Sequence, residues 1–130
     1  MEHKDAIRAL SSLGHDSRLA IFRLLVQAGE AGLPVGAIGE QLGLAPATLS
    51  FHLAALRHAG AVVARREGRV IYHAADYAAM NDLVSYLSEN CCQGADCGVA
   101  GCVPAGSKAA SKSVKKVIRH EKIARTRRGR

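Results

Sequence analysis

Residues 38–60 read Ile38-Gly-Glu-Gln-Leu-Gly-Leu-Ala-Pro-Ala-Thr-Leu-Ser-Phe-His-Leu-Ala-Ala-Leu-Arg-His-Ala-Gly60. Ile38 and Leu42, preceded by Val35, make one face of a short helix, and Gly43-Leu44 turns the chain. Pro46 suits the first turn of a second helix, where its missing N–H costs nothing. That helix is predicted to run to about Ala59, with Gly60 ending it. Leu49, Leu53 and Leu56 form its buried stripe. With Leu49 inward and ~100° per residue, Ala47, Phe51, Ala54 and His58 point outward. Thr48, Ser50 and His52 then lie on the flanks near the N-terminal end.

Working outward, Val62–Arg66 and Arg69–His73 are β-rich, and Glu67-Gly68 reads as the two-residue turn joining them. Upstream, residues 4–13 carry Ala6, Ile7, Leu10 and Leu13 at helical spacing, and Gly14 breaks that helix. His15 or Asp16 can cap the next one, whose stripe is Leu19, Phe22, Leu25 and Val26. Gly29 to Pro34 reads as a loop. Residues 77–89 return to helical period, with Tyr77, Met80, Leu83, Val84 and Leu87 on one face. The expected fold is mostly α with a small β-hairpin. Its order of helix, tight turn, helix and hairpin is that of a winged helix-turn-helix. The chain divides into residues 1–90, a winged-helix domain; 91–102, a cysteine-rich segment; and 103–130, a basic tail read as disordered.

A helix pair packed through Ile38, Leu42, Leu49, Leu53 and Leu56 can present its second helix to a major groove. The hydroxyls of Thr48 and Ser50 and the imidazole of His52 suit base edges or phosphates, and Arg57 adds a cation. Phe51 is a large apolar group on the outer side; it either touches a thymine methyl or packs under the wing. Arg65, Arg66 and Arg69 surround the hairpin turn, where three guanidiniums repel one another unless a polyanion is present. The net charge of +7 is not evidence for this reading. From residue 103 onward there are ten Lys or Arg and one acid, whereas residues 1–102 carry eight basic and ten acidic side chains. The tail is expected either to add non-specific phosphate contacts or to be a solvated extension.

The first sixteen residues hold Glu2, Lys4, Asp5, Arg8 and Asp16 with no apolar run of a secretory signal. No apolar stretch approaches the ~18 residues that span a bilayer. The chain is therefore expected in the cytoplasm, without a membrane partner, where thiols stay reduced. Four cysteines there suggest ligands or reactive thiols more than disulfides.

The Thr48-Leu-Ser-Phe-His-Leu-Ala-Ala-Leu-Arg-His-Ala-Gly60 core, followed by Arg65-Arg-Glu-Gly-Arg-Val-Ile-Tyr72, resembles the ArsR/SmtB family of bacterial metal-responsive repressors. The likeness extends over residues 5–92. It implies a homodimer with the first and last helices at the interface, bound to an imperfect palindrome of double-stranded DNA. Phe51 departs from the family, where a polar residue is usual. The family's sensing sites vary. A Cys-x-Cys site entering the first helix of the motif is absent, since Pro34 and Gly36 occupy those positions. A zinc site of Asp and His on the last helix also looks absent: Asp76 and Asp82 are nearby, but no His lies between His73 and His120.

Cys91-Cys-Gln-Gly-Ala-Asp-Cys97-Gly-Val-Ala-Gly-Cys102 remains. Structural zinc favours C-x2-C pairs, and adjacent cysteines make a strained disulfide. A soft three-coordinate ion tolerates adjacency better. Trivalent arsenic binds three thiolates in a pyramid, and Gly94, Gly98 and Gly101 let the chain fold a third sulfur over the pair. The segment resembles that of the arsenic-responsive family members whose vicinal cysteines follow the last helix. The expected ligands to the As(III) inducer are Cys91, Cys92 and Cys97, with Cys102 as the alternative third ligand. Alternatives within the fold are a thiol-redox response, or cadmium, antimony or a trivalent organoarsenical as ligand. An enzyme or metallochaperone is not expected: no Gly-rich cofactor loop, carboxylate pair or nucleophile–base set stands out, and no catalytic cofactor is implied.

Overall fold

The computed structural model describes residues 1–94 of the 130-residue chain. These fall into a unit Met1–Leu87 and a second beginning at Ser88. The first contains helices α1 (His3–Leu13), α2 (Asp16–Ala28), α3 (Val35–Leu42), α4 (Pro46–His58) and α5 (Tyr77–Leu87). It also contains strands β1 (Leu33–Pro34), β2 (Val62–Glu67) and β3 (Val70–Ala75). The architecture is the expected one, mostly helical with a winged helix-turn-helix order, plus strand β1 in a stretch whose sequence predicts a loop. No helix among the described residues is long and apolar enough to cross a membrane.

The core is aliphatic because the chain has no Trp and only two Phe. Ile21 and Leu25 of α2, Ile38 of α3 and Leu49, Leu53 and Leu56 of α4 meet in one buried cluster, closed by Phe22, Ala61, Val62 and Ala75. Burying each such side chain is worth roughly 1.5–3 kcal/mol. Their shared cluster therefore fixes α4 against α2 and α3. Asp76 caps α5, accepting the Ala79 N–H at 3.0 Å. The Tyr77 hydroxyl donates to the Val26 carbonyl at 2.8 Å and ties the start of α5 to the end of α2.

Two stripes differ from the sequence reading. In α1 the buried residues are Ala6, Ala9 and Ser12, with Ala6 and Ala9 packed on Leu83 of α5. Ile7 and Leu10 face outward, 50% and 43% exposed. The small residues allow close approach of the two helices, and the large ones are left on the outer face. In α2, Ile21 replaces Leu19 in the interior, and Leu19 is exposed.

The sheet has order β1-β3-β2, all antiparallel. Glu67 pairs with Val70, so the hairpin turn is Gly68-Arg69, one residue later than expected. Gly68 has φ +61° while Arg69 does not take a positive φ. That pattern places glycine at the first central position of a type II′ turn. A turn centred on Glu67-Gly68 would have forced Glu67 toward the left-handed region, which disfavours a side chain. Gly32, at φ +73°, lies so close to β3 that a Cβ there would collide with the His73 carbonyl oxygen. This contact lets Leu33 pair with His73.

His73 is 4% exposed, and its Nδ1 has no hydrogen-bond partner among the described residues. Burial, and then the charge of Arg57, push its pKa below the usual histidine value.

Two outcomes follow from this framework. Gly32→Ala should lower stability by more than about 1 kcal/mol, since strain and collision add; an unchanged melting temperature would contradict the close approach. With His73 held neutral when folded but free to protonate near 6.5 when unfolded, the unfolded chain binds more protons below that pH. Stability should be flat in this respect above about pH 7 and decline as pH falls through 6.5. Urea titrations across that range should show His73→Leu with a shallower decline than wild type.

Candidate nucleic-acid interface and thiol pair

The outer surface of α4 is built by its own period. Leu49, Leu53 and Leu56 are buried, while Ala47, Thr48, Ser50, Phe51, Ala54, Arg57 and His58 are exposed. Thr48 and Ser50 thus stand on the solvent side of the helix's first half, with Arg57 in its last turn. Phe51 is 66% exposed and does not pack beneath the wing. Its ring meets the His52 ring edge-on at 5.6 Å, and the Arg18 guanidinium lies 5.7 Å from its centroid.

His52 is placed differently from the flank position read from the sequence: it is only 6% exposed. The reason is α2, which covers that side of α4. Arg18 Nε donates to His52 Nδ1 at 3.3 Å, and the His15 ring lies 4.8 Å from the His52 ring. Burial, then His15 and then Arg18 lower the His52 pKa, so the ring accepts rather than donates at Nδ1. Arg18 has no counterpart among the sequence candidates, and His15, read there only as a possible cap of α2, sits at that N-cap position without a side-chain cap bond and packs on His52 instead. Arg18 is 34 residues from its partner, and no local spacing signals that distance.

The wing separates its arginines. Arg65 sits opposite Tyr72 with its guanidinium 5.3 Å from that ring. It pairs with Glu67 at 3.0 Å and donates to the Ala31 carbonyl at 3.1 Å. Arg66 points to the opposite sheet face and donates from Nε to the Gly68 carbonyl at 3.1 Å. Arg69 occupies the tip. Alternation along the strand and the Glu67 carboxylate therefore relieve the mutual repulsion expected of three clustered cations. Arg66 and Arg69 keep guanidinium edges without an ion pair among the described residues. The arrangement can do what polar helix ends and hairpin tips do against a duplex: donate to phosphates on both sides of a groove while α4 faces its floor.

In the second unit, Asn90, Cys92 and Gln93 adopt left-handed φ values of 56°, 53° and 55°. Cys91 N–H donates to the Ser88 carbonyl and Gln93 N–H to the Asn90 carbonyl. This reversal brings the Cys91 and Cys92 sulfurs to 3.8 Å, with Cys91 half-buried and Cys92 exposed. Left-handed non-glycine residues cost of order 1–3 kcal/mol each and concentrate at functional sites. Among the described residues no three His, Cys, Asp or Glu side chains gather into a metal-binding group. Cys97, Cys102 and the basic tail lie outside the described residues.

A helix-turn-helix domain model matches residues 13–65. The chain is 39% identical over 70 residues to the uncharacterized HTH-type transcriptional regulator YceK of Bacillus subtilis, covering 52% of this chain and 69% of that protein. It is 34% identical over 91 residues to the nodulation protein NolR of Rhizobium meliloti, covering 68% and 72%. Among solved structures it superposes on the homodimeric winged helix-turn-helix DNA-binding domain Mb0332 from Mycobacterium bovis, described as a possible ArsR-family transcriptional regulator. That match has a TM-score of 0.53 and 30% identity over 72% of this chain and 86% of the other. With α4 presented as a recognition helix beside a β-hairpin wing, the chain belongs to the ArsR-type family of winged helix-turn-helix transcriptional regulators.

Proposed function

We propose that this regulator is a homodimeric repressor that holds a palindromic operator until As(III) is bound by Cys91, Cys92 and either Cys97 or Cys102. The observation that carries the ligand reading is the sulfur pair at 3.8 Å. Two thiolate bonds of about 2.3 Å set at a pyramidal angle, below the tetrahedral one, span slightly less than this, so one soft ion can bridge the pair after a small closing movement. The left-handed backbone at Cys92, beside the same sulfur pair, supports this reading, since such residues concentrate at functional sites. A third thiolate from Cys97 or Cys102 would complete a trigonal pyramid. Antimony in the trivalent state has the same donor preference and is the nearest competing ligand.

Dimerisation is supported by the exposed apolar residues of the first and last helices. Ile7 and Leu10 on α1, with Val84 and Leu87 on α5, are 43–60% exposed. Apolar residues exposed together on two packed helices mark a face that another surface can cover. Two-fold symmetry would then space two α4 helices for half-sites one helical turn apart. Ligation beyond the end of α5 would shift that spacing, and a coupling of ~1–3 kcal/mol weakens DNA binding roughly 5- to 150-fold.

Two measurements check these readings. Ile7→Glu should move the protein from dimer to monomer in sedimentation equilibrium, whereas an unchanged dimer would place the interface elsewhere. A duplex recovered by in vitro selection should be released on titration with arsenite under reducing conditions by wild type and not by Cys91→Ser. Equal release from both would remove the thiol site, and release by peroxide but not arsenite would favour a redox response.

A further inference from the structure

Arg18 lies on α2, outside the α3–α4 pair, yet its head group is fastened to the recognition helix twice. Nε donates to His52 Nδ1 at 3.3 Å, and the guanidinium carbon sits 5.7 Å from the centre of the Phe51 ring. An arginine has five N–H donors in a planar fork, so with Nε engaged four remain on the two terminal nitrogens. Among the described residues no carboxylate pairs with Arg18, although Arg8 and Arg65 each have one. The His15 ring, stacked at a tilt on His52, adds a second nitrogen-bearing group to the same cluster. Phe51 is the most exposed large apolar residue of the described chain, and it lies on the groove-facing side of α4. An oriented guanidinium with open donors and no counter-ion, beside a helix that faces DNA, has the chemistry of a phosphate receptor.

We propose that Arg18 is a DNA-contacting residue, its terminal nitrogens receiving one backbone phosphate at the edge of the groove entered by α4. Phe51 supports the guanidinium through its ring face and need not read a base. His52 fixes the fork's rotation by accepting from Nε; its lowered pKa keeps that lone pair available. The contact is sequence-independent, because phosphate is the same at every step. It places the α2 end of the core, as well as α4 and the wing, against the duplex. The proposal rests on the DNA-binding fold and not on the thiol site, so arsenite response leaves it untouched.

The test is the salt dependence of binding to a short duplex of mixed sequence, followed by fluorescence anisotropy. Arg18→Gln should weaken binding for every duplex tried and reduce the slope of log affinity against log salt by about 0.9, the contribution of one phosphate. Arg23→Gln, on the same helix about 140° away, removes an equal charge from another side and should leave the slope unchanged. Arg18→Met keeps the apolar stem and provides a second neutral variant should glutamine perturb folding. Arg18→Lys retains the charge and should restore the slope while binding more weakly than wild type. An unchanged slope in both neutral Arg18 variants overturns the proposal, even if affinity falls, because a purely positioning role would behave that way. Equal slope losses for Arg18→Gln and Arg23→Gln overturn it too, since only net charge would then matter.

Discussion

The position of α4 depends on one contact set, the Leu49–Leu53–Leu56 stripe packed on Ile21, Leu25 and Ile38. These six aliphatic side chains are at most 3% exposed. Interiors of that kind are close-packed and resist small displacements, because each shift opens a void or a clash. The outer face of α4 is therefore held at a defined angle to α2 and to the sheet. A helix that reads DNA needs that rigidity, since donors misplaced by an ångström lose their base edges and phosphates.

The same packing decides what the polar residues around α4 can do. His52 is on the recognition helix but beneath α2, where desolvation, then His15 and then Arg18 lower its pKa. His73 is on the wing strand but faces the core, with Arg57 nearby. Both histidines link the DNA-facing layer to the interior, one through Arg18 and one through the sheet. The solvent-facing chemistry is left to Thr48, Ser50, Arg57, Arg66 and Arg69, with Arg65 partly neutralised by Glu67.

The thiol pair follows a different logic. The Cys91–Cys92 pair gains its spacing from local backbone, through left-handed residues on both sides of Cys91, and needs no packed core to form. A segment whose geometry is set locally in sequence can vary without changing the fold that carries α4.

The sequence by itself determined the element order, the turn from α3 into α4, the Pro46 helix start, the α4 stripe and the adjacency of the cysteines. Each is a local property, set by helical period, turn chemistry or neighbouring residues. Tertiary structure alone decided the rest. Ile7 and Leu10 have the period of a core stripe, but α5 packs on Ala6 and Ala9 because small residues permit the closer approach. The β1 strand exists only because Gly32 lets the chain touch β3, some 40 residues away. Arg65 and Arg66, adjacent in sequence, are sent to opposite faces by strand alternation once the register is set at Gly68-Arg69. Arg18 and His52 become partners only when α2 crosses α4, and it is this crossing that turns an isolated exposed phenylalanine into the support of a guanidinium.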